Sequence, residues 1–312
     1  YNNYFYAVAV DGPAGWDVPS HWGSGNPQLF RFETGHISRG GSVSSRTVTL
    51  PTSFNNTVSE PTWANVRDNN PAPQQCGIDL AVVIDLSNSV TRPNPPIPGL
   101  FQQYKDAGTA FVDALTGTPS RIALHTFATN APADGSSNGS LPLTSVATQA
   151  SADTVTDRID GLTATPQNND GGTNWDRGFH QISESAAAYD TVMFLTDGAP
   201  TFHRDGEGPG SSTTIEEVNE AIHSANAVKA MDSAPQVIAV GIGEAASGAG
   251  AEHRLSLISG PDEGTDYFLT DFDDLADTLR EYASEACGGS VTVVKELVDE
   301  DGQVIDENAG GW

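Results

Sequence analysis

A chain of 312 residues is too long for one ordinary core and implies two domains, or one domain with a large addition. Its 41 acidic residues against 14 basic ones leave a net charge of -27, which repels nucleic acid and anionic membrane and makes both poor partners. Charged residues make up only 18% while Gly, Ser, Thr, Asn and Pro are abundant, a mix that suits an extracellular β-rich or α/β protein, and no apolar run reaches the roughly 18 residues that a membrane span needs.

The chain opens on Tyr1 with no visible leader, which reads as a processed chain. Residues 1–75 read as a small β-rich module. Residues 4–10 (YFYAVAV), 29–32 (LFRF) and 42–50 (SVSSRTVTL) are predicted strands, being β-branched or aromatic, partly alternating, and bounded by Gly, Pro and Asn. Pro71 and Pro73, in NNPAPQQ, mark a short linker. Residues 78–86 (IDLAVVIDL) form an almost unbroken apolar run, as expected of a strand buried on both faces. Residues 100–115 carry Phe101, Tyr104, Ala107, Phe111 and Leu115 at helical spacing. A strand over 121–127 follows, then helices over 152–162 and 175–188, and a strand over 191–196 (TVMFLT). A long helix over 213–231, a strand over 236–242, a short helix over 252–258, a short strand over 267–269 and a helix over 273–286 complete the pattern.

Such alternation predicts an α/β fold with a doubly wound, mostly parallel sheet, its ligand crevice beyond the carboxyl ends of the strands. This domain, 76–287, is inserted in or flanked by a smaller β-rich domain. Residues 290–298 (SVTVVKELV) alternate as a strand and Asp301-Gly302 makes a turn. A lone hairpin is marginal in water, so residues 288–312 are expected to pair with the N-terminal module or to open a further β domain. Cys76 and Cys287 bracket the α/β pattern and are expected to pair in preference to standing as two free thiols. The bond would close a loop of roughly 200 residues, worth at most about 5 kcal/mol, and needs an oxidising compartment.

Three short stretches carry the chemistry. They are Asp85-Leu86-Ser87-Asn88-Ser89 after the first buried strand, Gly171-Gly172-Thr173-Asn174 before the 175–188 helix, and Thr196-Asp197-Gly198 after TVMFLT. In a parallel sheet all three fall at strand carboxyl ends or in neighbouring loops, so they can converge. Asp85, Asp197, Ser87, Ser89 and Thr173 offer only oxygen, which suits Mg²⁺ and argues against zinc or copper. Two carboxylates neutralise a divalent ion. Where some of them act through water, the ion stays electron-poor and a partner's Asp or Glu carboxylate becomes a favourable extra ligand. Taken singly, each stretch has a plain reading. D-x-S-x-S can cap a helix, Asp-Gly can make a turn, and Gly-Gly can be a flexible loop.

Together, DLSNS, GGTN and LTDG resemble the D-x-S-x-S, Thr and Asp motifs of the metal-ion-dependent adhesion site in von Willebrand factor type A domains. The likeness spans about residues 78–286. It implies that Ser87, Ser89 and Thr173 ligate the metal directly, and Asp85 and Asp197 directly or through water. Mg²⁺ is the expected ion, with Mn²⁺ or Ca²⁺ as alternatives. The bracketing cysteines are also similar to those of many extracellular members.

Lys295, in the alternating run VTVVKEL ahead of an Asp-Gly turn, resembles the opening-strand lysine of Cna-B type repeats in Gram-positive surface proteins. In that family such a lysine forms an isopeptide bond with an Asn. An edge-strand lysine that discourages aggregation is the equal alternative. The loops 91–98, 130–140 and 202–212 are expected around the metal face. His125 is expected to be a packed histidine. His203 and Arg204 either assist an acidic ligand or form a mobile surface pair. Trp16, Trp22 and Trp63 either stack on sugars or pack within the β module.

No G-x-x-x-x-G-K-[ST] and no G-x-G-x-x-G after a strand is present, so an enzyme is not expected. The leading expectation is metal-dependent adhesion to a carboxylate on a host or cell-surface protein. The arrangement resembles the tip adhesins of sortase-assembled pili in Gram-positive bacteria, and the composition suits an actinobacterium. Such a protein would sit outside the cell, anchored to the wall, and touch other pilus subunits. The alternatives are a structural pilus or surface subunit and a glycan-binding module.

Overall fold

The computed structural model describes residues 64–73, 77–166, 171–243, 247 and 250–286, together with the backbone of short strands outside them. Those strands are β1 (Tyr6–Ala9), β2 (Trp16–Asp17), β3 (Leu29–Phe32), β11 (Leu297–Val298) and β12 (Val304–Asp306). β1 pairs antiparallel with β3, and β2 with β4 (Ala64–Asn65). β11 pairs antiparallel with β12. Among the described residues these C-terminal strands pair with each other. The predicted strand over 42–50, and also Trp22, Trp63, Cys76, Cys287 and Lys295, lie outside the described residues.

A six-stranded sheet organises the rest. It contains β5 (Asp79–Asp85), β6 (Arg121–Phe127), β7 (Leu141–Ser145), β8 (Thr191–Thr196), β9 (Gln236–Ile242) and β10 (Tyr267–Thr270), in the order β10-β9-β8-β5-β6-β7. Every pairing is parallel except that of β7 with β6. The helices are α1 (Asn88–Thr91), α2 (Leu100–Leu115), α3 (Gln149–Asp160), α4 (Trp175–Ser183), α5 (Ile215–Lys229), α6 (Ala251–Ile258) and α7 (Leu275–Ala286).

The unbroken apolar run of β5 is explained by burial on both faces. Leu80, Val82 and Ile84 pack with Tyr104 and Phe111 of α2, Ile159 of α3 and Leu279 of α7. Ala81 and Val83 face the other layer, with Phe179 of α4, Val218 and Ile222 of α5 and Leu255 of α6. Strand alternation sends successive side chains to opposite faces, so one strand feeds two cores.

Within the six-stranded sheet and its helices, two elements escape the sequence reading. β7 (LPLTS) is half-exposed and contains Pro142, which an edge strand tolerates because one side of its backbone needs no partner. α1 is a single turn, too short for periodicity. α4 ends at Ser183, short of the predicted 188. There the Glu184 N–H bonds the His180 and Ile182 carbonyls, and the chain tightens toward buried Tyr189.

The predicted linker is preceded by a strap fastened to the sheet. Asn69 donates to the Val237 carbonyl (2.8 Å) and to Asp266 Oδ1 (2.7 Å), and accepts from Val237 N–H (2.9 Å). Asn70 donates to the Lys229 and Pro235 carbonyls, and Lys229 Nζ donates to the Arg67 carbonyl. Burial pushes the Lys229 pKa down to about 8. Asn69→Ala removes its three bonds to Val237 and Asp266 and a fourth from the Asn70 N–H (3.1 Å), and leaves the Val237 amide uncovered, at an expected cost of about 2 kcal/mol. Thermal denaturation reads the cost, and hydrogen exchange at Val237 reads its origin. Unchanged exchange there would rule the strap out as the cause.

His125 is packed as predicted, 7% exposed on β6, with Nε2 3.1 Å from the Tyr189 hydroxyl. Burial pushes its pKa down to about 4, against a smaller opposite pull from Gln181. Between that value and the ordinary 6.5 the unfolded chain holds the proton and the folded chain does not, so stability rises with pH across this window. Acidification to pH 5 is expected to remove about 2 kcal/mol through this group. His125→Gln should flatten that slope in denaturation curves taken between pH 5 and about 7. A variant as acid-sensitive as the parent would assign the slope elsewhere.

Candidate metal centre

The first stretch begins where β5 ends. Asp85 is fully buried at the last strand position, and its two oxygens are separately held. Oδ1 accepts from the Ser87 N–H (2.8 Å) and Oδ2 from the Thr196 hydroxyl (2.8 Å). Ser87 stands at the N-cap of α1, yet its side chain makes no capping bond. Its Oγ lies 2.9 Å from Ser89 Oγ instead. The simple capping reading of D-x-S-x-S therefore does not apply to Ser87. Ser89 donates to Asp197 Oδ1 (2.7 Å), which joins the first stretch to the third. With the single Ser89 proton so used, Ser87 is the donor to Ser89.

The second stretch is brought in by its glycines. The Gly171 carbonyl accepts from the Asn88 N–H (3.0 Å), and a Cβ at Gly171 would lie 2.1 Å from Asn88 Nδ2. Gly172 lies against the Phe202 ring and donates to Thr129 Oγ1 (2.9 Å). These glycines are close-packed approaches, not a flexible loop. Thr173 is stapled to the segment after β8, its carbonyl accepting from Thr201 N–H (2.8 Å) and Phe202 N–H (3.1 Å). Asn174 caps α4 by accepting from Arg177 N–H (3.0 Å). A Cβ at Gly198 would stand 3.9 Å from Thr173 Oγ1 and 4.0 Å from Ser89 Oγ, so the second stretch meets the other two there.

All five candidate residues are thus brought together at the carboxyl ends of β5 and β8. Asp85, Ser87, Thr173 and Asp197 are buried, while Ser89 is exposed and forms the mouth. Just below, burial pushes the Tyr104 pKa well above its ordinary value, and the Asp85 and Asp197 carboxylates push it further.

Among the described residues no group of three or more His, Cys, Asp and Glu side chains is arranged to hold a metal. The centre here is of another kind, two carboxylates with three hydroxyls. That donor set fits a hard divalent cation, and none among the described residues hydrogen-bonds Thr173 Oγ1, which leaves its lone pairs for such an ion.

The sequence reading named Thr196 in the third stretch and began a helix at Trp175, but gave neither residue a role at the site. The Trp175 indole N–H donates to Thr196 Oγ1 (3.1 Å), and the Thr196 hydroxyl bonds Asp85. Their only signal was adjacency, Thr196 before Asp197 and Trp175 two places after Thr173. His203 is not a surface residue, whereas Arg204 keeps its side chain half exposed. His203 is 3% exposed, with Nδ1 3.1 Å from buried Glu217 Oε1, and Arg204 pairs with Glu220 (2.7 Å). Five acids, Glu207, Glu216, Glu217, Glu220 and Asp176, engage these two residues, because the loop after β8 folds back onto α5. The 130–140 loop is likewise tied in, through buried Asn138, which donates to the Asp134 and Thr163 carbonyls.

Residues 79–281 match the von Willebrand factor type A domain, and the chain belongs to that family. The fold is similar to that of the pilus adhesin SpaC from Lactobacillus rhamnosus GG, with a TM-score of 0.52 and 17% identity over 70% of this chain and 32% of that one. The chain therefore spans about a third of the SpaC length. Weaker likenesses are to the pilus adhesin RrgA from Streptococcus pneumoniae (TM-score 0.48, 12% identity, 70% and 46% covered) and to proximal thread matrix protein 1 from the mussel byssus (0.45, 21%, 68% and 46%). A comparison with curated proteins finds no match. No helix among the described residues is long and apolar enough to cross a membrane.

Proposed function

We propose that this chain is the adhesive part of a surface or pilus protein. Through a divalent cation, Mg²⁺ before Mn²⁺ or Ca²⁺, it binds a carboxylate on a protein partner. The observation that carries the reading is the convergence of Asp85, Ser87, Ser89, Thr173 and Asp197 from three separated stretches at one end of the sheet. Ser87, Ser89 and Thr173 would hold the ion directly, and Asp85 and Asp197 directly or through water. A bound ion supplies Lewis-acid attraction for an incoming acid. The protein's own part is to hold the hydroxyl oxygens in place, keep the carboxylates buried, and leave the exposed Ser89 side as the approach. The likeness to SpaC supports an adhesive role at the cell surface, outside the membrane and in company with other pilus subunits.

Capture on arrays of matrix proteins and of glycans, in Mg²⁺ and in EDTA, tests this. Protein capture that chelation abolishes is the expected result. Capture only on glycans and indifferent to chelation would replace the proposal with sugar binding by the N-terminal module.

A further inference from the structure

Asp85 is a useful ligand only in one orientation, and the structure contains a device that fixes it. From the residues already described, we infer that Thr196, itself held by the Trp175 indole, is the positioning residue of the metal centre. The inference rests on the proposed metal site and adds the support of one of its ligands.

The argument is one of donors and acceptors. An indole N–H can only donate, and a threonine hydroxyl has one proton and two lone pairs. With Trp175 Nε1 occupying a Thr196 lone pair at 3.1 Å, the hydroxyl proton must point elsewhere. It has two acceptors, Asp85 Oδ2 at 2.8 Å and the Gly198 carbonyl at 3.0 Å. The carboxylate is both nearer and ionised, so it takes the proton. Asp85 Oδ1 is meanwhile held by the Ser87 N–H. Both carboxylate oxygens are thus pinned, and the rotamer is set before any ion arrives.

Burial makes the arrangement exacting. Trp175 is 1% exposed, and Thr196 and Asp85 are fully buried, so water cannot replace a lost partner. The three stretches are also cross-wired. The Gly-Gly-Thr-Asn stretch delivers Thr173 to the site and, two residues on, the indole that holds Thr196. The β8 end delivers Asp197 and, one residue before it, the hydroxyl that holds Asp85. The first and third stretches each supply a ligand and a support for a ligand on the other, and the second supplies a ligand and leads into the indole that holds Thr196.

The experiment is a titration of the whole chain with Mg²⁺ and with Mn²⁺, followed by calorimetry and by Trp fluorescence. Thr196→Val keeps the shape and removes the hydroxyl. It is expected to weaken both ions about 10- to 100-fold, the usual loss when a group supporting a ligand is removed. Thr196→Ser restores the hydroxyl and should bring affinity back to within about threefold of the parent. Trp175→Phe keeps a ring and removes the N–H. It should weaken binding about tenfold, and the metal-dependent fluorescence change of the parent should vanish with it. Should Thr196→Val not fold, the Trp175→Phe and Thr196→Ser pair carries the same test.

Wild-type affinity in both Thr196→Val and Trp175→Phe, with binding lost in Asp85→Ala, overturns the positioning role and leaves the metal site standing. A parent chain that binds neither ion overturns both.

Discussion

On the proposed metal centre, Mg²⁺ should stabilise the parent chain, and Asp85→Ala is expected to abolish that gain. An ion that binds only the folded state stabilises it by about 2.7 kcal/mol at a hundred times its Kd. For a domain of this size that corresponds to a rise in Tm of roughly 5 to 10 °C. The variant removes one of the two carboxylates that balance the charge of the ion. It also frees the Ser87 N–H and the Thr196 hydroxyl that Asp85 held. Asp197→Ala should behave the same way, since Ser89 loses its acceptor. Thermal unfolding in Mg²⁺ and in EDTA reads the difference directly. A variant still raised by Mg²⁺ as far as the parent would remove Asp85 from the centre.

Gly172→Ala is expected to cost about 3 kcal/mol of stability, the upper range for forcing extra volume into a packed site. A Cβ there would lie 2.2 Å from two carbons of the Phe202 ring and 3.1 Å from Thr129 Oγ1. On its other side the ring lies close against Gly210, where a Cβ would stand 2.8 Å from its Cζ. Phe202 is therefore a wedge between two glycines. Its displacement would carry Thr173 with it, because the Phe202 N–H bonds the Thr173 carbonyl. Mg²⁺ stabilisation should fall together with stability. Adding Phe202→Ala should recover part of the loss, with a coupling of about 1 to 3 kcal/mol across the double-mutant cycle. Denaturant melts of the four chains supply the cycle, and strictly additive losses would contradict the wedge.

Much of this was legible in the sequence. The apolar run of β5 announced a strand with two buried faces, and the spacing of the helices placed them on either side of it. The five oxygen-bearing residues of the centre stood in three short motifs, each at a strand end or ahead of a helix. What was not legible depends on partners far along the chain. Thr196 gains its role only because α4 sets an indole beside it. His203 and Arg204 read as loop residues, yet α5 meets them with acids fourteen and sixteen positions later. β7 hid behind Pro142, and the strap looked like a linker because asparagine signals turns more often than it signals bonds to a distant strand.

The strap bears on how the molecule takes a load. It meets the sheet where β9 begins, the end opposite Asp85 and Asp197. Traction entering ahead of residue 66 would meet the bonds of Arg67 to Asn226 and Lys229 first, and then the side-chain amides of Asn69 and Asn70. While that fastening holds, such a pull would pass into β9 and α5 at the end of the sheet away from Asp85 and Asp197.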